Sequence, residues 1–298
     1  MRVNSIIDSS ILLRVGNYDG MKQDYDKEIV SFTCPANWID YEIKHHNTST
    51  GDMFECAFAH VMFNDPRKNV KNSKGELLCN NLLVYENIYD LTSYLYKMST
   101  IMMPVLCFYG RNMWEDMGKG KNRPLIINDY IKSMGYTKET AGVLIIRNVN
   151  EFVERLREGI PKAVVEQNEK LTSSRFSTGF DPESPLFFGK VDYSRIDKRG
   201  LFYNYHSSSI DEMFVKDGKY RGQSEIRFVV PNINFAHSYS TEGKYDFSRN
   251  HLPIVVRGLH QYTRLFKADS IDDIAYYKDP KTGNYGLAYH FNNTFFSF

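Results

Sequence analysis

Lys219-Tyr-Arg-Gly-Gln-Ser-Glu-Ile-Arg-Phe-Val-Val-Pro231 is the stretch on which the reading of this chain turns. From Gln223 onward, polar and apolar residues alternate with the two-residue period of a β-strand that has one face on a core. Ser224, Ile226, Phe228 and Val230 share the core face; Gln223, Glu225 and Arg227 share the other. That second face holds an amide and a carboxylate two residues apart. Gly222 permits an abrupt turn into the strand, and Pro231, which has no N–H to give to a ladder, ends it. A strand fixes a side chain more tightly than a loop does, so a carboxylate at such a boundary is suited to catalysis. The same pattern also serves as a plain solvent-facing strand, in which Glu225 and Arg227 are a same-face pair worth under about 1 kcal/mol.

Around this strand the chain reads as a mixture of elements. Downstream of residue 185, strands are expected at 186–193, 225–230, 254–257, 274–277 and 287–291. Upstream, 28–34, 105–109 and 141–146 read as strands, and 5–16 as an opening apolar segment. Residues 77–103 read as largely helical, because Leu82, Tyr85, Tyr89 and Leu91 fall near a 3.6-residue period. Helices are also expected at 128–134, stopped by Gly135, and at 150–158, with Asn150 as N-cap. Helices gather in the first half and strands in the second. The expectation is an α+β fold of mixed, mainly antiparallel sheets with flanking helices, in a single domain spanning 1–298. The Ser/Gly/Pro-rich stretch 171–185 is the place for a mobile loop or joint.

Composition sets the outer bounds. At 298 residues the chain can bury roughly 75% of its unfolded surface without a disulfide or metal staple. Hydrophobic residues at 42% and charged residues at 24% exclude a disordered tail, a collagen-like rod and a coiled coil. Thirty-seven basic against 36 acidic residues give +1, so no global field draws the chain to nucleic acid or an anionic membrane. The longest apolar run, 101–109, is too short to span a bilayer and contains Pro104, so no membrane association is expected. Cys34, Cys56, Cys79 and Cys107 lie far apart with no Cys-x-x-Cys, which points to the reducing cytoplasm and to no metal site. Twenty-one Tyr and 20 Phe suit half-buried strands or a groove that stacks planar ligands.

No P-loop, Gly-x-Gly-x-x-Gly, His-Glu-x-x-His or Gly-x-Ser-x-Gly is present. His45-His46 are neighbours whose side chains diverge on an extended chain, which makes them poor co-ligands. Asp217-Gly-Lys219 and Glu242-Gly-Lys244 match the carboxylate-x-Lys half of a restriction-type nuclease core, in which carboxylates hold Mg²⁺ and the Lys polarises water. A metal-dependent nuclease is therefore one alternative, and a non-catalytic binding module is another.

Gln223-x-Glu225 on a strand after a turn resembles the catalytic element of ADP-ribosyltransferases of the Arg–Ser–Glu class. The resemblance extends along the chain. Leu13-Arg14-Val15, Ser31-Phe-Thr-Cys-Pro35, Gly51-Asp-Met-Phe-Glu55, Leu106-Cys-Phe108 with Met113-Trp114, and the 219–228 strand resemble, in order, elements of a widespread, poorly characterised bacterial family. That family has a Tyr-Arg-Tyr strand, a Ser-Ser-Pro strand end, an Asn-Asp-Pro-Phe-Glu turn and a Gln/Glu-x-Glu-x-Arg strand. The chain departs from it at Gly51-Asp-Met, where the family has Asn-Asp-Pro.

The resemblance implies an ADP-ribosyltransferase-like fold and NAD as substrate. Glu225 would be the catalytic carboxylate, Gln223 would orient the acceptor, Arg14 would anchor NAD phosphate, Ser31 would brace the Glu, and Tyr220 would stack on the dinucleotide. A competing register uses Arg147 and Ser177, in Val143-Leu-Ile-Ile-Arg147 and Phe176-Ser-Thr-Gly-Phe180, as the NAD-binding pair. Asp52 and Glu55 are either a turn cap with a buried partner or part of the site, and Trp114 is either core or a stacking platform. A toxin or phage-defence effector modifying protein or nucleic acid, with an antitoxin or defence-system partner, is the implied setting.

Overall fold

The computed structural model describes residues 10–39, 56–62, 82–87, 91–112, 125–170, 180–193, 202–203, 209–216, 218, 223–231, 233, 238–239, 245–246, 251–278, 285–291 and 294–297. In chain order the first elements are β1 (Ser10–Asn17), α1 (Tyr18–Asp26), β2 (Ile29–Phe32), β3 (Ala57–Met62), β4 (Leu82–Asn87), β5 (Thr92–Lys97) and α2 (Met98–Ile101). Then come β6 (Val105–Asn112), β7 (Leu125–Ile126), α3 (Ile127–Ser133), β8 (Ala141–Ile146), α4 (Val149–Lys170), β9 (Phe187–Lys190), β10 (Phe202–Tyr203) and α5 (Ser209–Glu212). The last are β11 (Glu225–Val229), β12 (Ser238–Tyr239), β13 (Tyr245–Asp246), β14 (Leu252–Val255), α6 (Leu259–Tyr262), β15 (Thr263–Lys267), β16 (Asp273–Lys278), β17 (Tyr285–Phe291) and β18 (Thr294–Ser297). The fold is α+β with mainly antiparallel sheets.

The centre is a six-stranded sheet in the order β15-β8-β1-β6-β11-β9, every neighbouring pair antiparallel. Its register fixes two faces. Ile226 lies opposite Phe108 and Phe228 opposite Leu106, and this face packs on α4, where Phe108, Phe152 and Phe228 meet edge to face at 5.6–5.9 Å. Glu225 lies opposite Tyr109, which lies opposite Leu13, which lies opposite Ile145. On that second face Leu13, Val15, Val143 and Ile145 pack with Tyr130 and Ile131 of α3. Helices on both sides explain why β8 and β11 are buried along their whole length. Gly110 serves this packing: a Cβ there would sit 2.1 Å from Ile226 Cδ1, so only a glycine admits the isoleucine across the strand pair.

Strands β2, β6, β8, β9, β11, β16 and β17 form where expected, β14 lies two residues earlier than expected, and the opening apolar segment carries β1; α3 also forms, after which Gly135 takes φ 77°. The described residues of 77–103 are not largely helical: only the four-residue α2 is a helix. They carry the hairpin β4–β5, with Tyr85 opposite Tyr94 and Glu86 opposite Ser93. Their Leu-Val-Tyr and Tyr-Leu-Tyr runs favour the pleated surface over a helix, and the near-3.6 spacing was coincidental. Strands are not confined to the second half: β1 to β8 all precede residue 150. Helix α4 starts one residue earlier than expected, and its cap is Asn148, whose Oδ1 accepts from Glu151 N–H at 3.0 Å. The left-handed turn into β11 falls on Ser224, φ 42°, and Gly222 lies outside the described residues. Of the 171–185 stretch, only residues from 180 on are described, and Ser184 N–H closes a turn onto Asp181 C=O at 3.2 Å. No described helix is long and apolar enough to cross a membrane.

Candidate active site

The central sheet opens where the site lies. β1 and β6 are paired only over Ser10–Leu13 and Tyr109–Asn112. Beyond that point β1 follows β8 as far as Asn17, and β6 follows β11 as far as Val105. Thr33, just past β2, then pairs with Val105 through two backbone hydrogen bonds of 3.0 and 2.6 Å. The two prongs enclose a cavity of about 770 Å³, which lies within the range of small-molecule and cofactor sites. Arg14 to Gly16 line it from one prong and Val105 to Tyr109 from the other. Glu225, Gln223 and Lys216 close one end; Asp24 and Ser31 stand at the α1–β2 side.

Glu225 is 6% exposed, so of the two readings of this strand the solvent-facing one does not hold: both faces of β11 are covered. Its carboxylate is the hub of a buried charge cluster. Arg227 Nε donates to Oε1 at 2.8 Å and Lys216 Nζ to Oε2 at 3.1 Å. The Cys107 thiol adds a hydrogen bond. Arg227 is fully buried and is itself held by the Met213 carbonyl. Burial alone would raise the Glu225 pKa, but the charges of Arg227 and Lys216, with the hydrogen bonds from Arg227 and Cys107, outweigh it and hold the carboxyl far below its ordinary range. It is a carboxylate at any physiological pH. Burial of Tyr193 and, after it, the Glu225 charge push the Tyr193 hydroxyl up to about 12. Tyr193 Oη accepts from Glu225 N–H at 2.9 Å, which fixes the start of the strand.

Gln223 reaches the same cation: Lys216 Nζ donates to its Oε1 at 2.9 Å. The same-face relation of Gln223 and Glu225 read from the alternation is therefore realised, one residue before the strand and one at its start. The register with Arg147 and Ser177 is not supported as a cleft pair. Arg147 lies past the end of β8, donates from Nη2 to Gln261 C=O at 2.9 Å and does not line the cavity, and Ser177 lies outside the described residues.

Arg14 lines the cavity. Burial is the largest influence on it and lowers its pKa; Cys107, Asp24, Tyr136 and Tyr130 pull the other way. A guanidinium stays charged under such a shift. No hydrogen bond or ion pair ties it to another described residue. Ser31 also lines the cavity, but its hydroxyl donates to Asp24 Oδ2 at 3.1 Å and not to Glu225. The brace on Glu225 is Arg227 with Lys216, not a serine. Tyr220, Trp114, Asp52 and Glu55 lie outside the described residues, as do His45-His46 and, but for Gly218, both carboxylate-Gly-Lys triplets. Cys34, Cys56 and Cys107 form no disulfide with one another, and Cys79 is outside the described residues.

No protein-family model, curated protein or solved structure matches this chain. What the cleft can do chemically follows from its own charges. Arg14, Lys216 and Arg227 bring three cations to or behind its wall, against the carboxylates of Glu225 and Asp24. Among the described residues the lining charges of Arg14 and Lys216 balance those of Glu225 and Asp24, and Arg227 behind Glu225 brings the sum to +1, a bias toward an oxygen-rich anion. Sequence reasoning missed Lys216 and the burial of Arg227. Lys216 sits in the unpatterned run Val215-Lys-Asp-Gly-Lys219, and only the fold brings it to β11.

Proposed function

We propose that this chain is an NAD-dependent ADP-ribosyltransferase, acting in the cytoplasm as a toxin or phage-defence effector on a protein or nucleic-acid acceptor. The observation that carries the reading is the pairing, in one cleft between the prongs of a split sheet, of an ionised Glu225 carboxylate with an Arg14 guanidinium that has no described partner.

On this reading Arg14, which no hydrogen bond or ion pair holds among the described residues, meets the pyrophosphate of NAD in a charge-assisted contact. The nicotinamide ribose then lies toward Glu225. The bond from ribose C1′ to the nicotinamide nitrogen breaks, and its electron pair leaves with neutral nicotinamide. Positive charge develops on the ribosyl group, and a fixed carboxylate beside it in a partly dry cleft stabilises it. A lone pair of the acceptor, oriented by the Gln223 amide, forms the new bond to C1′, and the acceptor gives up its proton to solvent water. The Tyr109–Tyr130 pair, with ring centroids 4.7 Å apart, offers an aromatic wall near the carboxylate.

The test is incubation of the purified chain with labelled NAD and a whole-cell extract, following free nicotinamide and the label together. Release of nicotinamide with label on protein, RNA or DNA supports the proposal and names the acceptor; no release from the wild-type chain removes it. A second reading has its own observation. Both Glu225 oxygens are engaged by cations, as they would be in a binding module whose carboxylate only shapes the cleft. Calorimetric binding of NAD without any nicotinamide release would favour that module.

A further inference from the structure

We infer that Lys216 is the positioning residue of the Gln223–Glu225 pair, clamping both side chains on one ammonium in the reaction proposed above, on which the inference rests. The clamp is built by the short segment that follows α5. Phe214 C=O accepts from Asp192 N–H at 2.7 Å, and Lys216 N–H donates to Asp192 C=O at 3.1 Å, so the segment is sewn to the chain end of β9. From this anchored backbone Met213 gives its carbonyl to Arg227, and Lys216 sends its side chain to Gln223 Oε1 at 2.9 Å and Glu225 Oε2 at 3.1 Å. The Lys216 side chain is 11% exposed and lines the cavity, whereas that of Arg227 is fully buried behind the carboxylate.

The chemistry of the two cations divides their roles. Arg227 fixes the carboxylate from the protein side and never meets a ligand. Lys216 is the cation at the cavity wall. An ammonium has three donors and no acceptor, so the Gln223 atom that faces it has to be the oxygen. The amide nitrogen is thereby turned away from Lys216, with its two N–H donors left for other acceptors. Without Lys216 the Gln223 amide can flip, while the Glu225 carboxylate keeps the Arg227 fork, Nε on Oε1 at 2.8 Å and Nη2 on Oε2 at 3.3 Å, and loses only its cavity-side contact. The displacement of the amide is of the ångström size that costs about 100-fold when reacting groups must stay aligned. Gln223 stands before the strand proper, where its own backbone does not hold it in a ladder. The clamp is therefore what makes a pre-strand side chain as fixed as a strand side chain.

The experiment is a double-mutant cycle of Lys216→Met and Gln223→Leu in the full chain, read as kcat and KM for nicotinamide release, with Lys216→Arg as the conservative variant. The expected result is a kcat about 100-fold lower in Lys216→Met with KM for NAD within about threefold. The double variant should fall no further than the worse single variant, and Lys216→Arg should regain about tenfold or more. A general structural defect would instead lower the fraction of active molecules without such coupling or rescue. If Lys216→Met does not fold, Lys216→Gln against Gln223→Leu carries the same cycle. A wild type that releases no nicotinamide overturns the transferase reading and this inference with it. An active wild type with unchanged kcat in Lys216→Met, or with fully additive losses in the cycle, overturns the Lys216 assignment alone.

Discussion

Removing the Glu225 carboxylate should destabilise the fold strongly, and the cost should depend on pH in one direction. In Glu225→Ala, Arg227, whose side chain is 0% exposed, and Lys216, at 11%, lose the counter-ion they share. Breaking one partner of a buried ion pair costs about 3–5 kcal/mol, because a charge is left buried without compensation. For a chain of this size each kcal/mol moves the melting temperature by about 2–4 °C, so a fall of roughly 10 °C is expected at pH 7. Burial raises the Glu225 pKa, but Arg227 and Lys216 bring it well below its ordinary 4.5, so the folded state binds the proton less readily than the unfolded state. The stabilisation is then fully present above about pH 4.5 and is lost as pH falls through the folded pKa. Urea denaturation of both proteins should give a constant gap between pH 6 and 8 and a narrowing gap below about 4.5. Replacing Glu225 by Leu together with Arg227 by Met should recover part of the loss, because both buried charges then leave together. A gap under about 1 kcal/mol at pH 7, or one that widens on acidification, would refute the reasoning.

Arg14→Met should weaken NAD binding about 10–100-fold, the worth of one charge-assisted hydrogen bond, while leaving the melting temperature unchanged or raised, since Arg14 has no described partner to lose. Calorimetry checks it, and unchanged NAD affinity would contradict it. Gly110→Ala should cost about 1–3 kcal/mol in urea, because its Cβ would lie 2.1 Å from Ile226 Cδ1. Shortening Ile226 to Ala in that background should remove the clash, and a single variant as stable as wild type would show that β6 and β11 part more easily than their register implies.

Much of the sheet could be read from residues alone. Val105–Tyr109 and Ala141–Ile146 are continuous apolar runs, and both became interior strands, as such runs do when both faces are covered. The β11 alternation placed Ile226, Phe228 and Val230 in the core correctly. It left the other face open between a catalytic edge and a plain solvent-facing one, because a polar face reads either way until a cluster such as Glu225–Arg227–Lys216 is seen to neutralise it internally. The hairpin β4–β5 was misread because tyrosines fit a helical period and a pleated surface equally well. Arg14 was legible only through family resemblance; nothing local marks a charge that the fork of two strands will enclose. Ser31 entered the cleft, yet its hydroxyl went to Asp24, seven residues away, a contact set by the turn between α1 and β2.

The most direct test of the account is nicotinamide release by the wild type and by Glu225→Gln, which keeps the shape of the side chain but removes its charge and one of its two acceptor oxygens. The account predicts measurable release by the wild type and a loss of about 100-fold or more in the variant, with NAD still bound. Equal release by both proteins, or none by either, would contradict it.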